Sequence, residues 1–462
     1  MTETIGVFYK KKKIAVIGMD LDTGFSVFEF TDVYYSQGLD LAPLMMPSSH
    51  RSIYEFPELR HQTYKGLPGL IADSLPDRFG TTILNDWLLR NKRNNPITPI
   101  ERLHFIGTRA MGALEFRPSA KFGEYIGNVD IFELTNIAQK VVNARSGVQV
   151  ELGNNIDKNA MNTLLSVGTS AGGARPKAVV AFNKDFSKAV SGQVTVPDGF
   201  THYLLKFDGV LENNTHEETF GDPLGYGAME YVYHLMAKEC HIDMQDCFLL
   251  DEGSRRHFIT KRFDRDGNNK IHTQTLNAIA HIDYNIPNGG SYEQLFDVAR
   301  KLRLSIDDAK QLYRRMVFNI VANNNDDHSK NFSFIYDENR WSLAPAYDLA
   351  YSYKPESIWV GQHWMSANGK RNELNRKDLI SVGQSVTKLP EQFLNDAIDE
   401  VVFAVNEWEQ LAIDNGVPNV LVKEVIDNQN LKAFGNEYFQ LDCELKQGKG
   451  LEPTINNNEP DF

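Results

Sequence analysis

The densest run of chemically capable side chains is Asn323–Asn331, which reads NNNDDHSKN between an apolar stretch ending at Val321 and another beginning at Phe332. Asp326 precedes Asn331 by five positions, the D-x-x-x-x-N spacing of a phosphoryl-transfer loop. In such a loop the aspartate takes the proton of an attacking hydroxyl and the asparagine amide oxygen ligates Mg2+. That hard cation prefers oxygen and needs few protein ligands beside phosphate and water. Asp327 is one register off and remains a rival, and an exposed polar turn is the simpler reading of the whole run.

Asp348 follows in the apolar context Leu343–Leu349, LAPAYDL. A carboxylate is costly to bury there without a cation or hydrogen bonds, so Asp348 is the candidate second metal ligand, with helix capping as the alternative. Lys206 sits in the apolar strand pattern Tyr203–Phe207 and needs a partner for the same reason. Glu230, on a predicted helix, offers one, and the two would copy the strand-lysine and helix-glutamate pair that orders a kinase site. Taken alone, a strand lysine is an edge or snorkelling residue. The Gly-rich stretch Gly168–Lys177, GTSAGGARPK, fits neither common phosphate-loop spacing. Its consecutive backbone N–H groups could form an anion nest, but in isolation it reads as a flexible turn.

These residues need elements to hold them. Apolar runs on both sides of Lys10–Lys13 predict a hairpin with a solvated lysine turn. Met111–Pro118 alternates like a strand that the proline ends. Strands are predicted at Ala178–Phe182, Tyr203–Phe207 and His257–Phe263, with a connecting helix over residues 129–150. Met229, Val232, Tyr233, Met236 and Ala237 carry the i, i+3, i+4 face of a helix over residues 225–240. Ser305–Asp308 begins another helix with a capping box. Phe393 to Trp408 reads as one long helix. A β-rich part followed by a helical part gives an α+β, two-lobed chain whose seam is where chemistry would lie.

Composition narrows the function. The 462 residues carry 48 Lys+Arg against 61 Asp+Glu, a formal charge of -13, which disfavours direct binding of nucleic acid. The 27 Phe, 18 Tyr and 5 Trp are too much apolar surface for a disordered chain. No window approaches the roughly 18 apolar residues of a membrane span, and the N-terminus has no secretory pattern. Three cysteines without a C-x-x-C pair indicate neither disulfides nor zinc. A cytoplasmic protein without membrane contact is expected.

Ser170–Ala178 (SAGGARPKA), Asp326–Asn331 (DDHSKN) and Pro345–Leu349 (PAYDL) together resemble the HipA family of bacterial serine/threonine kinase toxins. Phe258–Arg265 resembles the family's strand and hinge, and Leu70–Gly80 and Met111–Phe116 its N-terminal subdomain. The resemblance implies a protein-kinase-like fold with residues 1–120 as a HipA N-terminal-like subdomain and 121–265 as an N-lobe-like region. Residues 266–445 become the mostly helical catalytic C-terminal lobe, and 446–462 a disordered tail. It implies Asp326 as catalytic base, Asn331 and Asp348 as Mg2+ ligands, and Lys206 on the phosphates of ATP. Glu230 supports Lys206, and Gly172, Gly173 and Lys177 of the Gly-rich loop join the nucleotide site. Lys261, Arg262 and Phe263 would line the adenine side. His328 would order its loop by hydrogen bonding.

Ser170 would be autophosphorylated, with Ser166 and Thr169 as neighbouring alternatives; added negative charge there opposes phosphate binding. The expected partners are a HipB-like helix-turn-helix antitoxin, DNA through that antitoxin, and a protein substrate such as an aminoacyl-tRNA synthetase. Tyr351–Leu374 follows the family pattern only in part and is a candidate for substrate docking. A small-molecule kinase and a catalytically silent antitoxin-binding scaffold are the competing readings.

Overall fold

The computed structural model describes residues 3–76, 78–90, 97–119, 129–135, 138, 176–209, 225–253, 255–337 and 339–435. An antiparallel five-stranded sheet opens the chain, in the order Ile53–Tyr54, Ser26–Phe30, Lys12–Met19, Glu3–Tyr9, Leu114–Arg117. Lys10 and Lys11 turn the first hairpin with φ of 45° and 67°, the positive pair that matches a two-residue loop to strand twist. Ile5, Val7 and Tyr9 face the core with Ile17, Met19, Phe28 and Phe30, one face of the pleat.

A second antiparallel sheet runs Ala189–Ser191, Lys177–Phe182, Thr201–Lys206, Arg255–Lys261, Cys247–Glu252. The helix Tyr226–Glu239 packs on it, burying Met229, Val232, Tyr233, Met236 and Ala237. Gly227 makes that approach possible, because a Cβ there would lie 2.0 Å from the carbonyl oxygen of Arg256. The Asp208 carboxylate accepts from the Gly225 N–H at 3.1 Å and fixes the helix entry. Of the predicted helix over 129–150, residues 131–135 are helical, and the rest lies largely outside the described residues.

The remaining chain is mainly helical around a three-stranded sheet, His272–Thr275, Ser333–Asp337 and Arg340–Leu343. The helix Ile306–Val321 begins with the Ser305/Asp308 capping box and ends where the polar run starts. The single long helix expected near the C-terminus is two, Glu391–Asn406 and Trp408–Asp414. The turn at Glu407 redirects the chain so that Trp408 meets the Tyr233 ring edge-on and donates to the Val422 carbonyl at 3.3 Å. Among the described residues no helix is long and apolar enough to cross a membrane.

The first sheet is tied to the rest by a buried ion cluster. Asp264 accepts two hydrogen bonds from Arg262 (2.8 and 2.7 Å), one from Arg265 (2.8 Å) and one from the Gly112 N–H (2.7 Å). Arg265 also reaches the carbonyls of Ala110 and Gly112 at 3.0 Å each. Burial would raise the Asp264 pKa, but the two guanidinium groups hold it well below the carboxylate range.

Three buried histidines and the half-buried His281 are held neutral, by desolvation first: His202, His234 and His281 are pushed down to about 4 and His272 to about 3. An unfolded histidine titrates near 6.5, so below that pH the unfolded chain binds more protons. The stability is full above about 6.5 and is lost as pH falls toward about 4. Melting temperature measured against pH should be level above neutrality and fall through that window. A level curve down to about pH 4 would contradict these environments.

Candidate active site

Strand register brings Lys177 directly opposite Lys206, both side by side on a sheet face and 3% and 9% exposed. Two ammonium groups so placed need anions. Lys206 Nζ lies 2.5 Å from Glu230 Oε1 and is also bonded to Asp348 Oδ1. Burial would lower the lysine pKa; Asp348 and Glu230 overcome it and hold the ammonium above its ordinary value. For Asp348 burial pulls upward, but Lys206 and then Lys177 keep the carboxyl charged, well below its ordinary pKa. Three elements thus meet at one nitrogen: a sheet strand, the packed helix and the loop after the small sheet.

Asp348 sits at φ 57°, a left-handed conformation costing a non-glycine residue roughly 1 kcal/mol or more. The Tyr347 hydroxyl beside it donates to the Lys330 carbonyl at 2.6 Å, and its ring lies 5.6 Å from that of Phe263. Asp348 Oδ2 has no hydrogen-bond partner among the described residues, and its side chain is 32% exposed.

The run Asn323–Asn331 divides its polar groups between two tasks. Asn324 donates to Asn319 Oδ1 at 2.9 Å, and Asn325 donates to the Val360 carbonyl at 3.0 Å. Asp327 is fully buried: Oδ1 accepts the N–H groups of Trp364 (2.7 Å) and Met365 (3.3 Å), and Oδ2 accepts the Tyr292 hydroxyl (2.7 Å) and His363 Nδ1 (3.2 Å). Asp326, its neighbour, has a side chain 50% exposed and is anchored through its backbone N–H to Ser352 Oγ at 3.0 Å. Asn331 Nδ2 donates to the Asp326 carbonyl at 2.7 Å, which fixes the amide's orientation and directs Oδ1 away from that carbonyl.

Some expected placements differ. The Arg262 side chain turns from the cleft into the Asp264 cluster, because a buried carboxylate offers it a bidentate partner; only its backbone N–H, donating to the His202 carbonyl at 2.9 Å, ties it to the strands. The Lys261 side chain is exposed, and Phe263 alone of that trio stacks toward Asp348 through Tyr347. His328 orders its loop by packing rather than hydrogen bonding. Its ring meets Tyr284 and Trp364 edge-on, Nδ1 is buried without a hydrogen-bond partner among the described residues, and Nε2 is 3.7 Å from Asp326 Oδ1. Ser170, with Ser166 and Thr169, and Gly172 and Gly173 lie outside the described residues. Sequence reading missed Tyr292, Ser352 and His363, whose roles depend on contacts across tens of residues.

The donors suit a magnesium ion. Among the described residues no group of three or more His, Cys, Asp or Glu forms a preformed cage. An oriented amide oxygen and a charged carboxylate with one oxygen spare are the sparse set that Mg2+ uses beside phosphate.

Two lobes, a strand lysine paired with a helix glutamate, and a polar loop with a half-exposed aspartate define a kinase-like α+β fold. The HipA-like C-terminal domain matches residues 169–408 and the HipA N-terminal domain residues 5–117. The first covers just over half of the chain, which therefore belongs to the HipA family. The solved HipA of Shewanella oneidensis MR-1, determined with HipB and operator DNA, superposes with a TM-score of 0.62 at 15% identity, over 90% of this chain and 91% of that one. "Putative kinase Y4mE" of Sinorhizobium fredii is 26% identical over 195 residues, 39% of this chain and 41% of its own. A "putative kinase" of Haemophilus influenzae is 30% identical over 135 residues, 26% of this chain and 39% of its own. The chain thus spans about two fifths of the length of the curated relatives it matches.

Adjacent aspartates in such different surroundings should respond unequally to the same change. Asp327→Asn sets an amide against four donors and is expected to cost about 3 kcal/mol. Asp326→Asn, half in solvent, should stay within about 0.5 kcal/mol of wild type. Denaturant melts of both variants check this, and equal losses would refute the division.

Proposed function

We propose that the chain is an ATP- and Mg2+-dependent serine/threonine protein kinase acting as the toxin of a toxin–antitoxin pair. The observation that carries this reading is the Lys206 ammonium clamped between Glu230 and Asp348, with half-exposed Asp326 on the neighbouring loop. Lys206 and Lys177 hold the nucleotide phosphates, and Phe263 borders the nucleotide. Asn331 Oδ1 and the free oxygen of Asp348 would hold Mg2+, which neutralises charge on the phosphate oxygens when bound. Asp326 accepts the acceptor hydroxyl's proton as that oxygen bonds the γ-phosphorus and the bond to the β–γ bridging oxygen breaks, releasing ADP.

Ser170 is the proposed site of self-phosphorylation. The proposed partners are a HipB-like antitoxin, which carries the contact with DNA, and a translation component such as an aminoacyl-tRNA synthetase, in the cytoplasm. The Shewanella HipA was solved with HipB and operator DNA, which supports the antitoxin.

Intact-mass and peptide mass spectrometry after incubation with ATP and Mg2+ tests the reading. Wild type should gain phosphate at Ser170. Asp326→Asn should lose about 10²–10⁴-fold in rate while keeping the thermal shift on nucleotide binding, and Lys206→Ala should lose the shift. Labelling of Asp326→Asn at the wild-type rate would exclude Asp326 as the base. Nucleotide binding with transfer only to a small hydroxyl compound would favour the small-molecule kinase, and neither binding nor transfer the scaffold.

A further inference from the structure

Beside the Asp326 loop lies a cavity of about 470 Å³ whose lining includes Asn288, Gln362, Lys370, Arg371 and Glu373. Its wall is a doubled-back strip: the His363 N–H donates to the Arg371 carbonyl at 3.0 Å, and Arg371 Nε returns a bond to the His363 carbonyl at 2.6 Å. His363 and Trp364 are the residues that hold Asp327. The cavity is therefore fastened to the residue next to Asp326 by a short chain of hydrogen bonds.

The chemistry of this wall is that of an anion site. The Lys370 ammonium is held by Asp378 at 3.0 Å, and Arg376, just beyond the strip, is taken up by Asp399 and Asn395. Arg371 is bound through Nε alone, and its two terminal nitrogens have no hydrogen-bond partner among the described residues. Asn288 and Gln362 add amides, and Glu373 is an exposed carboxylate on the lining that disfavours a small, freely placed anion. The guanidinium fork suits a carboxylate or phosphate presented from one direction.

A second surface adjoins it. The loop of residues 354–361 is pinned by Asn325 Nδ2 to the Val360 carbonyl at 3.0 Å and displays Ile358 and Trp359, 76% and 43% exposed. An apolar knob and a cation pocket, both anchored on residues flanking Asp326, together fit an extended polypeptide better than a small solute.

We infer that this cavity is an acceptor-side subsite, in which Arg371 binds an anionic side chain of a polypeptide whose serine or threonine hydroxyl lies at Asp326. The inference rests on the kinase reading and adds to it a substrate class, a hydroxyl residue with an acidic or phosphorylated neighbour.

The test uses the full chain with ATP, Mg2+ and a serine/threonine peptide library in which each flanking position is fixed in turn as Glu, phosphoserine, Lys or Ala. Transfer favouring Glu or phosphoserine over Ala by about tenfold at one position is expected. A preference for one of the two identifies the anion as carboxylate or phosphate. Arg371→Ala should raise KM for the favoured peptide to that of the Ala peptide, while Arg371→Lys retains part of the preference. The wild-type library needs no substitution, so a poorly folded Arg371→Ala leaves the question decidable, with Arg371→Lys as second variant. Equal use of all peptides, or a preference unchanged in a well-folded Arg371→Ala, overturns the inference. Self-phosphorylation without any peptide transfer overturns it and leaves the kinase reading intact, whereas no transfer at all sinks both.

Discussion

A lysine ammonium taken out of water sets the terms for this cleft. Desolvating Lys206 costs several kcal/mol even after relaxation, and the cost is offset only while Glu230 and Asp348 stay within bonding distance. Lys177, brought opposite by strand pairing, makes both carboxylates still more necessary. The demand fixes relative positions of elements that local preferences leave independent. The helix must lie close enough for Glu230 to reach, which is what Gly227 permits. The loop must accept a left-handed residue at Asp348. In the proposed kinase, phosphate oxygens arriving at Lys206 would compete with Asp348 for the same nitrogen and leave that carboxylate available to a cation. The clamp would then be both a structural bond and a reserved site.

The polar run shows the same economy in two consecutive aspartates. Asp327 is saturated by four donors from two distant segments, so it works as an internal fastener. That fastening leaves Asp326 on the solvent side, with its backbone held by Ser352 and Asn331. A buried carboxylate with every lone pair engaged is a poor proton acceptor, whereas a half-exposed one is able to take a proton and release it. The same fastener carries the strip from His363 to Arg371, so the position of Arg371 and the orientation of Asp326 are coupled through one residue.

Much of this architecture was legible in the residues. The lysine hairpin, the strands about Ala178, Leu204 and Ile259, the helix bearing Glu230 and the capped helix from Ser305 all follow from alternation, 3.6-residue spacing and capping patterns, which are local. Polar residues embedded in apolar stretches, Lys206 and Asp348 above all, advertised a compensating network, because such groups are too costly to leave unpaired. Arg262 marks the complementary limit: its side-chain partner Asp264 is only two residues away, but the carboxylate that holds it is completed by Arg265 and by the Gly112 N–H of a distant segment, which no local spacing announces.

The sequence by itself determined the set of groups available for chemistry and most of the elements that carry them, since both depend on residue type and short-range periodicity. Only the tertiary structure decided which aspartate of the pair is buried, that Lys177 faces Lys206, that Arg262 serves a buried cluster, and that Arg371 keeps two terminal nitrogens without a hydrogen-bond partner among the described residues. The burial of Asp327, the Lys177–Lys206 register and the closing of the Asp264 cluster by Gly112 turn on hydrogen bonds or strand pairing between segments far apart in the chain. Their free energy exists only once folding has brought those segments together and excluded water from between them.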